Sequence, residues 1–195
     1  MMSVRTVAIL SFALLVAFEP AMLTAQSPVS YSAVTEQRLL NPEPHNWLMY
    51  RGTFNGWGYS PLEQITPANV KKLVPVWSFS TGVTEGHQSP PIVNNGVMFV
   101  TTPQQQVFAI NAKTGDLIWR YKKELPEDLL QLHPTNRGVA LWGDRVYLAT
   151  VDAHVIALDA KTGTVVWDTT PGRARRGRRA ASRSGSRRTT IRSST

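Results

Sequence analysis

The sequence predicts an all-β fold assembled from a repeated four-stranded unit, and three observations carry that prediction. Residues 107–119, VFAINAKTGDLIW, recur as residues 155–167, VIALDAKTGTVVW, at a constant offset of 48. The register extends upstream without a gap, with Met98-Phe99-Val100 facing Val146-Tyr147-Leu148 and Thr102 facing Thr150. Each copy divides into four short runs of β-forming residues separated by turn residues. Four strands at a period in the mid-forties are the pattern of a propeller blade. The expected fold is therefore a partial β-propeller, with two four-stranded antiparallel blades and part of a third.

Met1 to Ala25 reads as an export signal. Arg5 supplies the positive start, Val7 to Phe18 is almost wholly apolar, and Leu23-Thr24-Ala25 offers a small-residue cleavage site. The apolar run is about a dozen residues, short of the ~20 that cross a bilayer as a helix. No stable membrane span is expected, and export places the protein in the periplasm. Residues 26–46 are polar with three prolines and read as a loose lead-in linker.

Within residues 47–170, Leu73 to Gly82 contains Trp77 and reads as the last strand of a preceding, incomplete blade. In the first full unit, Asn94-Asn95-Gly96 and Lys113-Thr114-Gly115 supply the breaks. In the second, the strands are expected at Val139–Trp142, Val146–Thr150, Val155–Asp159 and Thr164–Asp168. Gly115 and Gly163 stand where a tight turn needs positive φ. Trp119 and Trp167 follow those glycines by four residues. A large flat ring that recurs in every unit suits packing between blades better than stacking on a ligand. Between the units, Leu125 to Leu132 reads as a short helix, with Pro126 in its first turn, Glu127 and Asp128 just inside, and Pro134 beyond its end.

Charge divides the chain. The total is +8 with a pI of about 10.2, which taken whole suggests an anionic partner. Yet residues 1–170 carry twelve basic and thirteen acidic side chains, whereas 171–195 carry nine Arg and no acid. That tail, rich in Arg and Ser, cannot bury a core and is expected to be disordered. It is open to two readings, an arginine-rich arm that binds phosphates or an out-of-frame read of GC-rich DNA. The second is taken here, because an exported protein has little use for a phosphate-binding arm; no specific nucleic acid is expected. The absence of Cys excludes disulfides, thiolate metal sites and Cys nucleophiles. His45, His87, His133 and His154 lack metal-ligand spacing. Asp116, Asp152 and Asp159 fall where carboxylates cap turns.

The Ala-x-(Asn/Asp)-Ala-Lys-Thr-Gly-x-x-x-Trp motif, present twice, resembles the tryptophan-docking motif of quinoprotein propellers. Residues 47–62 (WLMYRGTFNGWGYSPL), 65–73 (ITPANVKKL), 86–93 (GHQSPPIV) and Asn136-Arg137-Gly138 resemble PQQ-dependent alcohol dehydrogenases of the methanol/ethanol dehydrogenase type. The resemblance runs from about Trp47 to Thr169. It implies an eight-bladed parent propeller with PQQ and a Ca²⁺ or lanthanide ion near its axis. It further implies oxidation of a small alcohol, a carboxylate that takes the alcohol proton, and electrons passed to a cytochrome c. Arg137 matches the family arginine that binds PQQ, and Gln88 stands where many members carry a cofactor-contacting Glu. The plainer readings, an exposed turn arginine and a loop glutamine, stay open.

The chain departs from the family in having Gln131-Leu132 where methanol dehydrogenases often carry an adjacent Cys pair. The family's metal ligands, catalytic Asp and Trp floor would lie beyond residue 170, so no catalytic or metal residue is assigned. The expected product is an N-terminal fragment, inactive by itself, with a frameshifted C-terminus. A non-catalytic PQQ-like repeat scaffold is the alternative; the lipoprotein members of that class carry a lipobox Cys, which this chain lacks.

Overall fold

The computed structural model describes residues 30–171. The expected export signal and the arginine-rich tail after Pro171 lie outside them. Eight strands form two separate four-stranded antiparallel sheets with simple up-and-down order. The first blade comprises β1 (Ile92–Asn94), β2 (Val97–Thr102), β3 (Gln106–Asn111) and β4 (Leu117–Lys122). The second comprises β5 (Ala140–Trp142), β6 (Arg145–Ala149), β7 (Val155–Asp159) and β8 (Val165–Thr169). No helix among the described residues is long and apolar enough to cross a membrane.

The repeat extends to the pairing of the strands. Phe99 lies opposite Ala109 and Ala109 opposite Trp119, while Tyr147 lies opposite Ala157 and Ala157 opposite Trp167. Each blade has its register shift at the same place, between Ala109 and Ile110 and between Ala157 and Leu158. Local chemistry explains the turns. Asn95 and Gly96 both have positive φ, as a two-residue hairpin turn demands. The Asp159 carboxylate accepts from the backbone N–H groups of Lys161 and Thr162, each at 3.0 Å, closing the turn before Gly163.

The tryptophans join the blades. Trp119 donates from Nε1 to the Ala160 carbonyl at 3.0 Å and lays its ring on Gly163. A Cβ at Gly163 would stand 2.6 Å from Trp119 Cε3, so the position needs glycine for space as well as for its φ of 72°. Trp77 repeats the contact one blade earlier, donating to the Ala112 carbonyl at 3.2 Å and covering Gly115. Trp167 has the same place in β8, and it is 41% exposed. Between the sheets Phe99, Trp119, Val146, Leu148 and Ile156 are buried in one core with Tyr31, Val34 and Leu48 from the N-terminal segment. Burial pushes the Tyr31 hydroxyl up to about 12.

Three expectations are corrected. Residues 73–82 are not a strand, although Trp77 is docked as the repeat requires. A strand needs a ladder partner for its backbone, and none of the described residues pairs with this segment; Leu73, Val74 and Val76 are exposed. Leu125 to Leu132 is not a helix. It forms a single turn at Glu127-Asp128, closed by Leu129 N–H on the Pro126 carbonyl, and Leu130 and Leu132 are both 97% exposed. An eight-residue helix is marginal without an apolar face to bury. The lead-in, from Ser30 on, is packed rather than loose. Val34 bridges Gly143 and Asn46 Oδ1 accepts from the Asn95 N–H at 2.7 Å, so this segment lies against both blades. A five-residue helix, α1 (Glu36–Leu40), carries Arg38 into that contact.

A charge cluster ties the blades at their outer edge. Lys123 donates to Asp168 in β8 at 2.9 Å and lies 3.9 Å from Asp152, and His154 Nδ1 also meets Asp168. The hydrogen bond to Asp168 raises Lys123, and the same bond lowers Asp168. The Asp168 contribution is present above its ordinary carboxylate value and is lost as pH falls through its lowered one; that of Lys123 is present below its ordinary value and is lost as pH rises through its raised one. Asp168→Asn is expected to lower stability by roughly 1 kcal/mol, measured as a shift in the urea midpoint at neutral pH. An unchanged midpoint would show that the cluster holds nothing together.

Candidate functional site

Arg137 and Gln88 are 49 positions apart in the chain and meet in space. Arg137 Nε donates to Gln88 Oε1 at 3.3 Å, and both side chains are exposed. Each sits on a loop that the blades hold. Ser89, beside Gln88, accepts from the Thr101 backbone N–H at 3.1 Å, which pins the 86–90 loop to β2. Asn136, beside Arg137, is buried and reaches both blades. The loops also touch, since a Cβ at Gly138 would meet Ser89 Oγ at 3.7 Å and Pro90 Cδ at 3.9 Å. Gly138 has a φ of 120°, so this close passage is made by the residue that tolerates it.

Only Nε of the Arg137 guanidinium is engaged; its two terminal nitrogens have no partner among the described residues. Gln88 also forms part of the wall of an open concavity of about 530 Å³, with Trp47, Tyr50, Arg51, Trp57 and His87 among the other lining residues. Arg51 brings a guanidinium to this wall, with Nε donating to the Gly56 carbonyl at 2.8 Å. Sequence reasoning did not single it out, because nothing in its spacing distinguishes it. His87 is held within its own loop, by Thr81 Oγ1 and the Glu85 carbonyl, each at 2.9 Å, as a turn histidine. A second concavity of about 410 Å³, between the lead-in and residues 52–61, contains neither Arg137 nor Gln88.

The chemistry on offer is recognition. A planar cation with a free fork edge, beside a neutral amide, suits a planar group bearing carboxylates or polarised carbonyl oxygens. The described residues therefore offer one contact for such a group at this point. They do not supply a metal site: among them no group of three His, Cys, Asp or Glu side chains converges to hold an ion.

Comparison with known proteins shows the family. The family described as "Glucose/ethanol/alcohol dehydrogenase, beta-propeller domain" matches residues 47–168. Quinoprotein alcohol dehydrogenase PedH of Pseudomonas putida is 40% identical over 138 residues, covering 68% of this chain and 23% of that protein. A quinoprotein ethanol dehydrogenase of Pseudomonas putida is 36% identical over 153 residues, covering 70% of this chain and 25% of that protein. Among solved structures, the quinohemoprotein alcohol dehydrogenase ADHIIG of Pseudomonas putida HK5 is 35% identical with a TM-score of 0.66, over 72% of this chain and 21% of that one. A europium-containing methanol dehydrogenase is 31% identical with a TM-score of 0.63, over 69% and 25% respectively. The chain spans about a quarter of the length of these curated relatives. The matched region takes in both blades, the docked tryptophans and the loops of Gln88 and Arg137, and the chain belongs to the PQQ-type β-propeller family of glucose, ethanol and alcohol dehydrogenases.

Proposed function

We propose that this chain is the N-terminal part of an exported PQQ-dependent alcohol dehydrogenase, with Arg137 and Gln88 on the cofactor side of its first two blades. The observation that carries this reading is the Arg137–Gln88 hydrogen bond. It joins the two positions matched to the family's cofactor contacts, across 49 residues of sequence. When bound, PQQ supplies the electron acceptor for alcohol oxidation. The part of this chain is to bind and orient. The free edge of Arg137 pairs with an oxygen of the planar anion, and Gln88 fixes the guanidinium plane and offers an uncharged amide where many relatives place a carboxylate.

Turnover belongs to the complete propeller, whose further blades carry the Ca²⁺ or lanthanide ligands and the proton-accepting carboxylate. Electrons then leave to a cytochrome c. Residues 1–25 direct export to the periplasm and are removed near Ala25. The tail from residue 171 is an out-of-frame read and plays no part in the site. The test is binding of PQQ to the full-length chain, followed by the absorbance of the quinone. Binding is expected to be weak, and Arg137→Ala to weaken it about tenfold or more, the scale of one charge-assisted hydrogen bond. Equal binding by wild type and variant would reject the assignment.

A further inference from the structure

Gln105 departs from the repeat at a position where the backbone itself does not. It faces Ala153 at the offset of 48, and both residues have positive φ, 55° and 61°. That conformation favours glycine. In the second blade a methyl group suffices there. In the first blade a long amide is buried, 1% exposed, and its Oε1 accepts from Asn136 Nδ2 at 2.9 Å. A turn of this repeat does not need such a side chain, so its presence in the first blade calls for a different cause.

Asn136 engages both polar atoms of its side chain and its backbone carbonyl. Its Nδ2 also donates to the Ala149 carbonyl at the end of β6, at 3.0 Å. Its Oδ1 accepts from Gly138 N–H at 3.0 Å, a bond that closes over Arg137. Its backbone carbonyl accepts from Thr101 Oγ1 at 3.3 Å. The same Thr101 donates its backbone N–H to Ser89, next to Gln88. The backbone on either side of Arg137 is thus tied to the first blade through Gln105 and Thr101 and to the second through Ala149, while Thr101 also anchors the loop of Gln88.

We propose that Gln105 and Asn136 are positioning residues, which hold Arg137 across the junction of the two blades so that its guanidinium meets Gln88. Their effect on PQQ rests on the function proposed above; their effect on Arg137 does not. A buried amide–amide hydrogen bond, backed by the further bonds of Asn136, fixes one geometry in a way an apolar contact cannot.

The test is the Arg137 Nε–H resonance in ¹⁵N spectra of the full-length chain, assigned by its loss in Arg137→Lys and recorded with and without PQQ. Gln105→Gly removes the side chain and leaves a residue suited to the left-handed backbone, and thermal unfolding followed by tryptophan fluorescence confirms that the blades remain joined. In that variant the Arg137 signal is expected to move towards a free guanidinium and its solvent exchange to rise about tenfold, with a similar loss of PQQ affinity. Asn136→Asp keeps the Oδ1 acceptor, removes the donors to Gln105 and to the Ala149 carbonyl, and is expected to act in the same direction. A folded Gln105→Gly variant with an unchanged Arg137 signal would overturn the proposal. So would a wild-type Arg137 Nε–H that already behaves as free, a result that needs no variant to fold. If wild type bound no PQQ but its Arg137 signal still depended on Gln105, the positioning role would stand and the cofactor reading would fall.

Discussion

Gly163→Val is expected to part the two blades. The Trp119 ring lies on Gly163 so closely that a Cβ would stand 2.6 Å from Cε3 and 2.7 Å from Cδ2. The ring is held in place, because its Nε1 is bonded to the Ala160 carbonyl and the Phe99 ring packs against it, tilted, at 5.8 Å between centroids. Trp119 is 7% exposed. Displacing it returns on the order of 200 Å² of apolar surface to water, about 5 kcal/mol at ~25 cal/mol/Å². A branched residue at a φ of 72° adds roughly 1–2 kcal/mol. The sum is comparable to the whole stability of an ordinary domain, about 5–15 kcal/mol. Urea denaturation followed by tryptophan fluorescence is expected to show no native baseline. Gly143→Val is the control. Gly143 also has positive φ, 58°, but nothing lies within 4 Å of its Cβ, so that variant reports backbone strain alone. If the two variants unfolded at the same urea concentration, the ring contact would contribute nothing beyond glycine's φ.

Arg38→Ala is expected to detach the lead-in. The guanidinium forms a bidentate pair with Glu43, at 2.7 and 3.1 Å, and also bonds the Ser32 and Ala33 carbonyls and Asn94 Oδ1. Removing it leaves Asn94, which is fully buried, with an unsatisfied oxygen. The expected loss is roughly 3 kcal/mol, the scale of losing hydrogen bonds to a charged group with a buried acceptor left unpaired. For a domain of this size that is about 10 °C in Tm, and limited proteolysis should cut near residues 41–46 in the variant only. The pH dependence follows the same contact. The hydrogen bond from Arg38, with a second from Asn46, holds the Glu43 carboxyl down at about 2, from an ordinary 4.5. A group depressed on folding contributes stability above its unfolded value and loses it as pH falls towards its folded one. Wild-type Tm should therefore decline between about pH 4.5 and pH 2 through this pair, and Arg38→Ala should decline less. Parallel Tm curves for the two proteins would contradict the assignment.

The blades were legible because two independent copies of one pattern constrain each other. A single VFAINAKTG run permits several readings; its recurrence at fixed spacing with the same Gly and Trp permits one. The Gly163 contact was half legible, since the turn accounts for glycine and the second reason, space for a ring, appears only when the neighbouring blade is in place. The segment 73–82 has the composition of a strand and lacks a ladder, because pairing is supplied by other segments and is not written in a segment's own residues. Leu125 to Leu132 has helix-terminal signals at both ends and too little between them to bury. The lead-in was misread because its polarity is that of a linker, whereas Arg38 and Asn46 spend that polarity on Glu43, Asn94 and Asn95. Of the site, Arg137 and Gln88 came from motifs. Their hydrogen bond, and the Gln105–Asn136 pair behind it, depend on how two blades stand side by side.

The tryptophan contact has a direction. The ring comes from the earlier unit and the glycine from the later one, for Trp77 on Gly115 and again for Trp119 on Gly163. During synthesis the ring therefore leaves the ribosome before its seat exists. At about 5–20 residues per second the wait is several seconds for each blade. A nascent chain of this kind always ends in one exposed tryptophan, so its need for chaperone cover should rise and fall once per repeat as each new glycine emerges.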